Sequence, residues 1–583
     1  MKLKNKAISR GILLFFLLAF VFFLFNANLT KSPKKNRENF TLKGCTSILV
    51  GKEASTDGSV MTTHAADCGI CDFTWHHVPA ADHEPGDMRK IYHINQIKTW
   101  PPEQGGKWAM ALEEGYTGLD IPQPAHTYAF HHSVFGYMNE HQLAFGEATI
   151  GCRREMRNPT PSAKFDITML TLVAMERCKT AREAIKLMGQ LGEKYGYGFH
   201  DSGEMLAVAD PEEVWIFEIM PVGPLWTPES GKPGAVWCAQ RVPDDHVSVC
   251  PNESRIGEID VENKDMFLAS SNVISLAVDK GFYDPEGDEP FSWKKAYSPA
   301  QGSALSSKGR RGRLWRFFDL VAPSKNFQPD TPNMDLPFSV KPDKKISLKD
   351  VMDLTRDKYK GSMFDPSKGI KSGPFNNPNY FQSFRYKDER YSSPRCISVN
   401  NVEYTTITVS RSWLPNPVGG VVWLSMGAQD TSCYMPLYAG MRNLPKPLTV
   451  GDHWEFNRDS ARWAFDYVDF HTQVVYSHAI EDVKKEQHIW EDGAIKRASA
   501  VENTALELHQ KDRTLAENFL TDYSISHALR VIEAWWDLGD KLLVKYNHLR
   551  IYDAEKRRSQ RLSYTEEWKE ALIKNKGLDP LGN

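Results

Sequence analysis

The stretch Cys45-Thr46-Ser47-Ile48-Leu49-Val50-Gly51-Lys52-Glu53-Ala54-Ser55-Thr56-Asp57-Gly58-Ser59 decides the fold. Ile48, Leu49 and Val50 predict a strand, and Ser59-Val60-Met61-Thr62-Thr63 predicts a second one. Between them Ser55-Thr56-Asp57-Gly58 supplies turn chemistry, so the two strands read as a hairpin. A hairpin centred near Ala54 sets His64 across from Cys45, with paired side chains about 5 Å apart. Asp67 then falls just past the end of the second strand. A chain cut before Cys45 would carry a thiol and a free α-amine on one residue. That is a nucleophile with its own base, a complete start for amide hydrolysis.

The segment ahead of Cys45 reads as removable. Lys2, Lys4, Lys6 and Arg10 precede an unbroken apolar run from Gly11 to Phe25, the pattern of a secretory signal. The run is short for a membrane span, which takes about 20 residues. Phe25-Asn26-Ala27-Asn28 is a poor cleavage site, so residues 1–25 are expected to act as a signal peptide or an N-terminal anchor. Residues 26–44 are polar, with Lys31, Lys34, Lys35 and Arg37, and read as a propeptide or linker. Leu42-Lys43-Gly44-Cys45 resembles a lipoprotein cleavage site except for its lysine, and the apolar run ends too far upstream for one.

With 583 residues the chain can bury a large core and hold more than one domain. The net charge of −3, with no long basic run after the leader, gives nothing to favour nucleic acid as a partner. Export and nine cysteines together imply disulfides; setting Cys45 aside leaves an even number. Cys68-Gly69-Ile70-Cys71 reads as a structural bridge, since no second CxxC or finger-spaced His pair accompanies it. His76, His77, His126, His131 and His132 form no metal-binding array of known spacing. Gly419-Gly420 runs into Val421-Val422-Trp423 without a phosphate-loop lysine, so no cofactor and no metal is expected.

Further along, Phe130 to Ile150 alternates strand segments around Asn139-Glu140-His141-Gln142. Phe165 to Leu191 is helical, with Thr180-Ala181-Arg182-Glu183 as a capping box. Met205 to Asp210 and Val214 to Glu218 predict another hairpin, and Tyr404 to Val409 and Gly420 to Met426 further strands. Beyond residue 450 the composition turns to Ala, Leu, Glu and Lys, which predicts a helical C-terminal region over 451–583.

The Cys45–Ser59 stretch resembles the start of mature members of peptidase family C69, the dipeptidase and secernin group of N-terminal nucleophile hydrolases. The resemblance continues in Gly136-Tyr137-Met138-Asn139-Glu140, Phe145-Gly146-Glu147-Ala148-Thr149-Ile150-Gly151 and Thr180-Ala181-Arg182-Glu183-Ala184. It extends through Ala209-Asp210-Pro211-Glu212-Glu213-Val214-Trp215, Gln240-Arg241-Val242-Pro243-Asp244-Asp245, Pro251-Asn252-Glu253-Ser254-Arg255-Ile256 and Pro436-Leu437-Tyr438, covering about residues 45–450. It implies an α+β fold, a four-layer αββα sandwich with the nucleophile opening an inner strand, here followed by the helical C-terminal region. It also implies autocatalytic cleavage between Gly44 and Cys45, and amide hydrolysis with dipeptides as substrates. Penicillin V acylases and bile salt hydrolases share the architecture, so an acylase acting on a non-peptide amide is the rival enzyme. A non-catalytic binding member of the fold is the other rival.

Carried over position by position, the resemblance makes Cys45 the nucleophile and Asp67 the residue that orients the terminal amine. Asn139 and Asn252 match positions flanking the oxyanion, and Arg313 or Arg316 matches a distant arginine. His64 stands where the family's Arg-x-x-Asp element has its arginine, and an imidazole does not replace a guanidinium fork. The α-amine titrates near about 7.7–8.0 and a thiol near about 8.5, so the pair can exchange a proton at neutral pH.

Overall fold

The computed structural model describes residues 44–93, 115–157, 162–198, 202–299, 302–306, 311–381 and 383–575. The expected leader, residues 1–25, and all of the linker except Gly44 lie outside the described residues.

Two antiparallel sheets carry the architecture. The six-stranded sheet runs, in spatial order, Val247–Cys250, Ser47–Val50, Val60–Ala65, Tyr404–Ser410, Val421–Met426 and Met435–Tyr438. The eight-stranded sheet runs Phe267–Ala269, Val236–Val242, Val214–Met220, Gly203–Ala209, Ala144–Ile150, Gly136–Asn139, Phe130–His132 and His76–Val78. The fold is α+β.

Side-chain alternation sorts the hairpin into two faces. Ile48, Val50 and Met61 join a core with Leu314, Phe317 and Phe318 of the Gly312–Val321 helix and with Val501, Ala505 and Leu520 of the C-terminal helices. Burial of each such side chain contributes about 1.5–3 kcal/mol. The opposite face of the hairpin, bearing Ser47, Thr62 and His64, meets the second sheet through the Ala144–Ile150 strand. The sheets approach closely there: a Cβ on Gly146 would sit 2.3 Å from the Thr63 carbonyl oxygen. Helices Ile167–Arg177 and Ala181–Tyr195 pack on the second sheet, the latter opened by the expected Thr180–Glu183 capping box. Helices thus lie against both sheets.

The hairpin register differs from the expectation. Leu49 faces Thr62 and Val50 faces Met61, so the turn centres between Ser55 and Thr56. Continued outward, that register sets Ala66 across from Cys45 and Ser47 across from His64. The cause is tertiary: residues 51–55 turn tightly, with Ala54 and Ser55 N–H donating to the Gly51 carbonyl, and are anchored outside the hairpin as well. Gly51 N–H donates to the His246 carbonyl, Glu53 and Ala54 N–H to that of Asp244, and Ser55 bridges to Ile346.

Beyond residue 450 the described residues are mainly helical, with Ala461–Val474, Tyr476–Gln487, Gly493–Lys511 and Arg513–Tyr546 as the main helices, and they also hold the strand pair Arg550–Asp553 and Arg558–Arg561. The described residues from Gly44 onward form one compact unit. Cys68 and Cys71 are bridged. The even cysteine count was no guide to further bridges: Cys178, Cys238, Cys250, Cys396 and Cys433 are buried unbridged thiols, each behaving as a small apolar side chain.

Candidate active site

Cys45 is 4% exposed and sits just before the Ser47–Val50 strand, where the two sheets meet. Its thiol lies in a buried polar cluster. Ligating atoms of Cys45, His64 and Glu147 fall within 4.8 Å of one another. One thiol, one imidazole and one carboxylate make a donor set suited to a zinc-like cation. Burial raises the thiol well above its ordinary pKa; the carboxylates of Glu147 and Asp67 raise it further, and the Asp67 backbone N–H opposes them. A thiol in this setting needs a nearby positive charge before it ionises at neutral pH.

His64 reaches the site despite the changed register. Its Nδ1 and the Ser47 hydroxyl both approach the Glu147 carbonyl oxygen, at 2.9 and 2.8 Å. Gly146 permits this, because any side chain there would hold Glu147 away from the hairpin. Burial lowers the His64 pKa, so the imidazole is neutral at physiological pH.

Asp67 follows the second strand as expected and is 1% exposed. Its Oδ2 accepts from Arg395 Nη2 at 2.7 Å, while its Oδ1 has no hydrogen-bond partner. Burial pushes the Asp67 carboxyl up to about 7, against the opposing charges of Arg395 and Arg313.

Arg313, from the first turn of the Gly312–Val321 helix, ties three segments together. Its Nη1 donates to the Cys45 carbonyl at 2.8 Å and to Thr46 Oγ1 at 2.7 Å. Its Nη2 donates to the Pro251 carbonyl and to Asn252 Oδ1. Asn252, left-handed at φ 65°, donates from Nδ2 to the Thr149 carbonyl. Its side chain lies flat against Gly44: a Cβ on Gly44, whose φ is +106°, would fall 2.2 Å from Asn252 Oδ1. The Gly44 carbonyl itself accepts from Arg395 Nη2 at 2.8 Å.

The structure thus brings Cys45, His64, Asp67, Asn252 and Arg313 together. Asn139 and Arg316 it does not. Both Asn139 amide hydrogens are committed, to the Met175 and Cys178 carbonyls, and its Oδ1 accepts from His141 and Leu143. It closes a turn and has no donor to offer an oxyanion, which corrects the sequence expectation. Arg316, one helical turn beyond Arg313, pairs instead with Asp357 and Asp319.

Three residues escaped the sequence reading. Glu147 and Glu204 meet across paired strands, and burial together with Glu147 pushes the Glu204 carboxyl well up. The signal for Glu147 was its place as a lone acid among Phe145, Gly146 and Ala148. Arg395 gave none: it stands in the irregular Ser392-Ser393-Pro394-Arg395-Cys396 segment, more than 300 residues from Asp67.

The chain is similar to known proteins over most of its length. A probable dipeptidase of Salmonella dublin is 27% identical over 409 residues, 68% of this chain and 82% of the relative. A probable dipeptidase B of Lactococcus lactis is 26% identical over 422 residues, 70% of this chain and 77% of the relative. A probable dipeptidase B of Streptococcus pyogenes serotype M1 is 24% identical over 465 residues, 76% and 82% of the two chains. The model of peptidase family C69 matches residues 44–489, beginning one residue before Cys45. With a match of that extent, the chain belongs to peptidase family C69.

Proposed function

We propose that this peptidase is an exported, cysteine-type dipeptidase of the N-terminal nucleophile kind, with Cys45 as nucleophile once residues 1–44 are removed. The packing of two sheets between helices fits the αββα sandwich of such hydrolases, with residues 45–450 as its catalytic body and 451–583 as a helical addition. The observation that carries the reading is Asp67: a buried carboxyl beside the Gly44–Cys45 peptide with one oxygen unpartnered. Cleavage of that peptide would create a cation there, the Cys45 ammonium. Asp67 would hold it, and it would in turn favour the thiolate. The names of the relatives support dipeptides as the substrate class. Residues 11–25 serve as a signal or as an anchor under this reading.

In the mature enzyme the thiolate attacks the scissile carbonyl, the ammonium returns a proton to the leaving amine, and water clears the thioester. Arg313 holds the Cys45 carbonyl and the Asn252 side-chain oxygen, so the nucleophile and the Asn252 amide keep their spacing. The test is N-terminal sequencing and intact mass of the purified protein, with a panel of dipeptides beside penicillin V and conjugated bile salts. A first residue Cys45 and turnover of dipeptides are expected. Cys45→Ala should lose activity by on the order of 10⁶-fold, the scale of removing a covalent nucleophile. Retention of Lys43 and Gly44 in the active form, or undiminished hydrolysis by Cys45→Ala, overturns the reading.

A further inference from the structure

Two arginines approach the Gly44–Cys45 peptide, and they hold different carbonyls. Arg313 donates to the Cys45 carbonyl, on the far side of the bond that maturation breaks, and its Nη atoms are also engaged with Thr46, Pro251 and Asn252. Arg395 donates to the Gly44 carbonyl, the one the Cys45 sulfur must attack. The same Nη2 bonds Asp67 Oδ2 at 2.7 Å, so the carboxylate fixes the guanidinium against that carbonyl. The Arg395 side chain is 23% exposed, and it lines a polar cavity of about 260 Å³ with Asn379, Phe381, Ser393, Cys396 and Asn401. One edge of the guanidinium therefore touches the reacting peptide while the side chain also borders a cavity.

We propose that Arg395 is a catalytic residue: its guanidinium is the donor that stabilises the oxyanion, first at the Gly44 carbonyl during maturation and then at the scissile carbonyl of the dipeptide. The assignment rests on the N-terminal nucleophile reading above. In maturation the Cys45 sulfur adds to the Gly44 carbonyl carbon, and negative charge develops on the oxygen that Arg395 already holds. The C–N bond breaks, and the thiol proton goes to the released Cys45 nitrogen. Water then cleaves the thioester, leaving a Gly44 carboxylate, a free thiol and a free α-amine. The departing Gly44 carbonyl vacates the position that the substrate carbonyl next occupies, since one sulfur attacks both. A fixed cation in a site that excludes water does more for such charge than it would in solvent. Arg395 also answers the departure at His64: Asp67 keeps a guanidinium partner, delivered from a remote segment.

The decisive experiment follows maturation and hydrolysis separately in full-length protein. Cell-free synthesis of wild type, Arg395→Gln and Arg395→Lys, sampled over time by intact mass, gives the rate at which residues 1–44 are lost. Steady-state kinetics on a dipeptide give kcat and KM. We expect both variants to mature roughly 100- to 1000-fold more slowly than wild type, the cost of losing one oxyanion donor. We expect kcat to fall by a similar factor with KM within about threefold, and Arg395→Ala to regain part of both rates in millimolar guanidinium. Maturation and kcat at wild-type levels in a folded Arg395→Gln overturn the assignment, as does a loss confined to KM. If Arg395→Gln does not fold, Arg395→Lys decides by the same criteria, because its ammonium keeps the charge beside Asp67 but not the forked reach. A wild-type protein that is active with residues 43 and 44 still attached overturns the nucleophile reading itself, and with it this one; a wild type that matures alongside an unaffected Arg395→Gln overturns only the role of Arg395.

Discussion

Two buried carboxylates show how differently the two ends of this molecule are built. Asp67, beside the Cys45 thiol, is 1% exposed; Glu491, where the C-terminal helices meet the first sheet, is 0% exposed. Glu491 is saturated: Arg356 and the Tyr434 N–H bond its Oε1, and Arg356 and Lys349 its Oε2. Its pKa is held below the ordinary range because Arg356 and Lys349 outweigh the burial. Asp67 is half-satisfied, and burial dominates, lifting it to about 7. A fully paired carboxylate is a structural tie. One left with an open oxygen in the dry interior costs stability unless another cation arrives, and under the proposed maturation the Cys45 ammonium would be that cation.

The same contrast extends to the surroundings. Around Cys45, buried polar atoms without partners include His64 Nε2, Asp67 Oδ1 and Arg313 Nε. The C-terminal helices instead bury Val501, Ala505 and Leu520 and close with ordinary pairs such as Lys545 with Asp482. Unpartnered buried polar atoms occur elsewhere too, His471 Nε2 and His527 Nε2 of the C-terminal helices among them, so it is the half-paired carboxylate beside the thiol that sets the site apart.

Substituting the two carboxylates should separate them most sharply. Asp67→Asn is expected to lower maturation and hydrolysis by roughly 10³- to 10⁴-fold, the scale for neutralising a buried orienting carboxylate. Its melting temperature should stay level or rise, because the raised pKa marks the charged form as disfavoured. Glu491→Gln should do the reverse, costing about 3–5 kcal/mol by stranding Arg356, with turnover per folded molecule unchanged. Calorimetry and dipeptide kinetics on both variants check the pair; similar profiles for the two would erase the distinction.

Gly146→Ala tests the close approach of the sheets. The added methyl meets the Thr63 backbone, which cannot swing away, so a loss of about 1–3 kcal/mol is expected together with reduced activity. Chemical denaturation reads the first and kinetics the second; full activity would show that the contact does not position Glu147.

Acid should destabilise both sheets through their buried histidines. His64, His77, His131 and His132 are all lowered by burial, His77 to about 4. For a group whose folded pKa is depressed, the unfolded chain binds protons first. Stability is therefore complete above about pH 6.5 and is lost as pH falls below it. Each such histidine contributes up to about 1.4 kcal/mol per pH unit, measurable as the pH dependence of the unfolding free energy. A flat profile between pH 6.5 and 5 would contradict their neutrality in the folded state.

The smallest expected effect concerns maturation itself. Below about 7 the Asp67 carboxyl is protonated and releases its hold on Arg395, so the maturation rate should rise severalfold with pH through that value. In Asp67→Asn the same limb should vanish from the slower residual rate. Persistence of an identical limb would assign it to another group, with Glu147 and Cys45 the nearest candidates.

Much of this was legible in the chain. The apolar run Ile48-Leu49-Val50, the Ser59–Thr63 segment and the turn residues between them gave the hairpin, Thr180 and Glu183 gave a helix start, and the composition beyond 450 gave the C-terminal helices. These are local properties, fixed by backbone preference and side-chain period over a few residues. The place of Cys45 just ahead of the first strand was legible for the same reason. Tertiary structure alone decided the hairpin register, because Asp244, His246 and Ile346 hold the turn. It also decided between Arg313 and Arg316, one helical turn apart, by setting the first against Cys45 and the second against Asp357, and withdrew Asn139 by occupying its amide with two carbonyls. Arg395 belongs wholly to the tertiary level. Its meaning comes from a 2.8 Å hydrogen bond to a residue 351 positions away, and no local pattern encodes a contact at that distance along the chain.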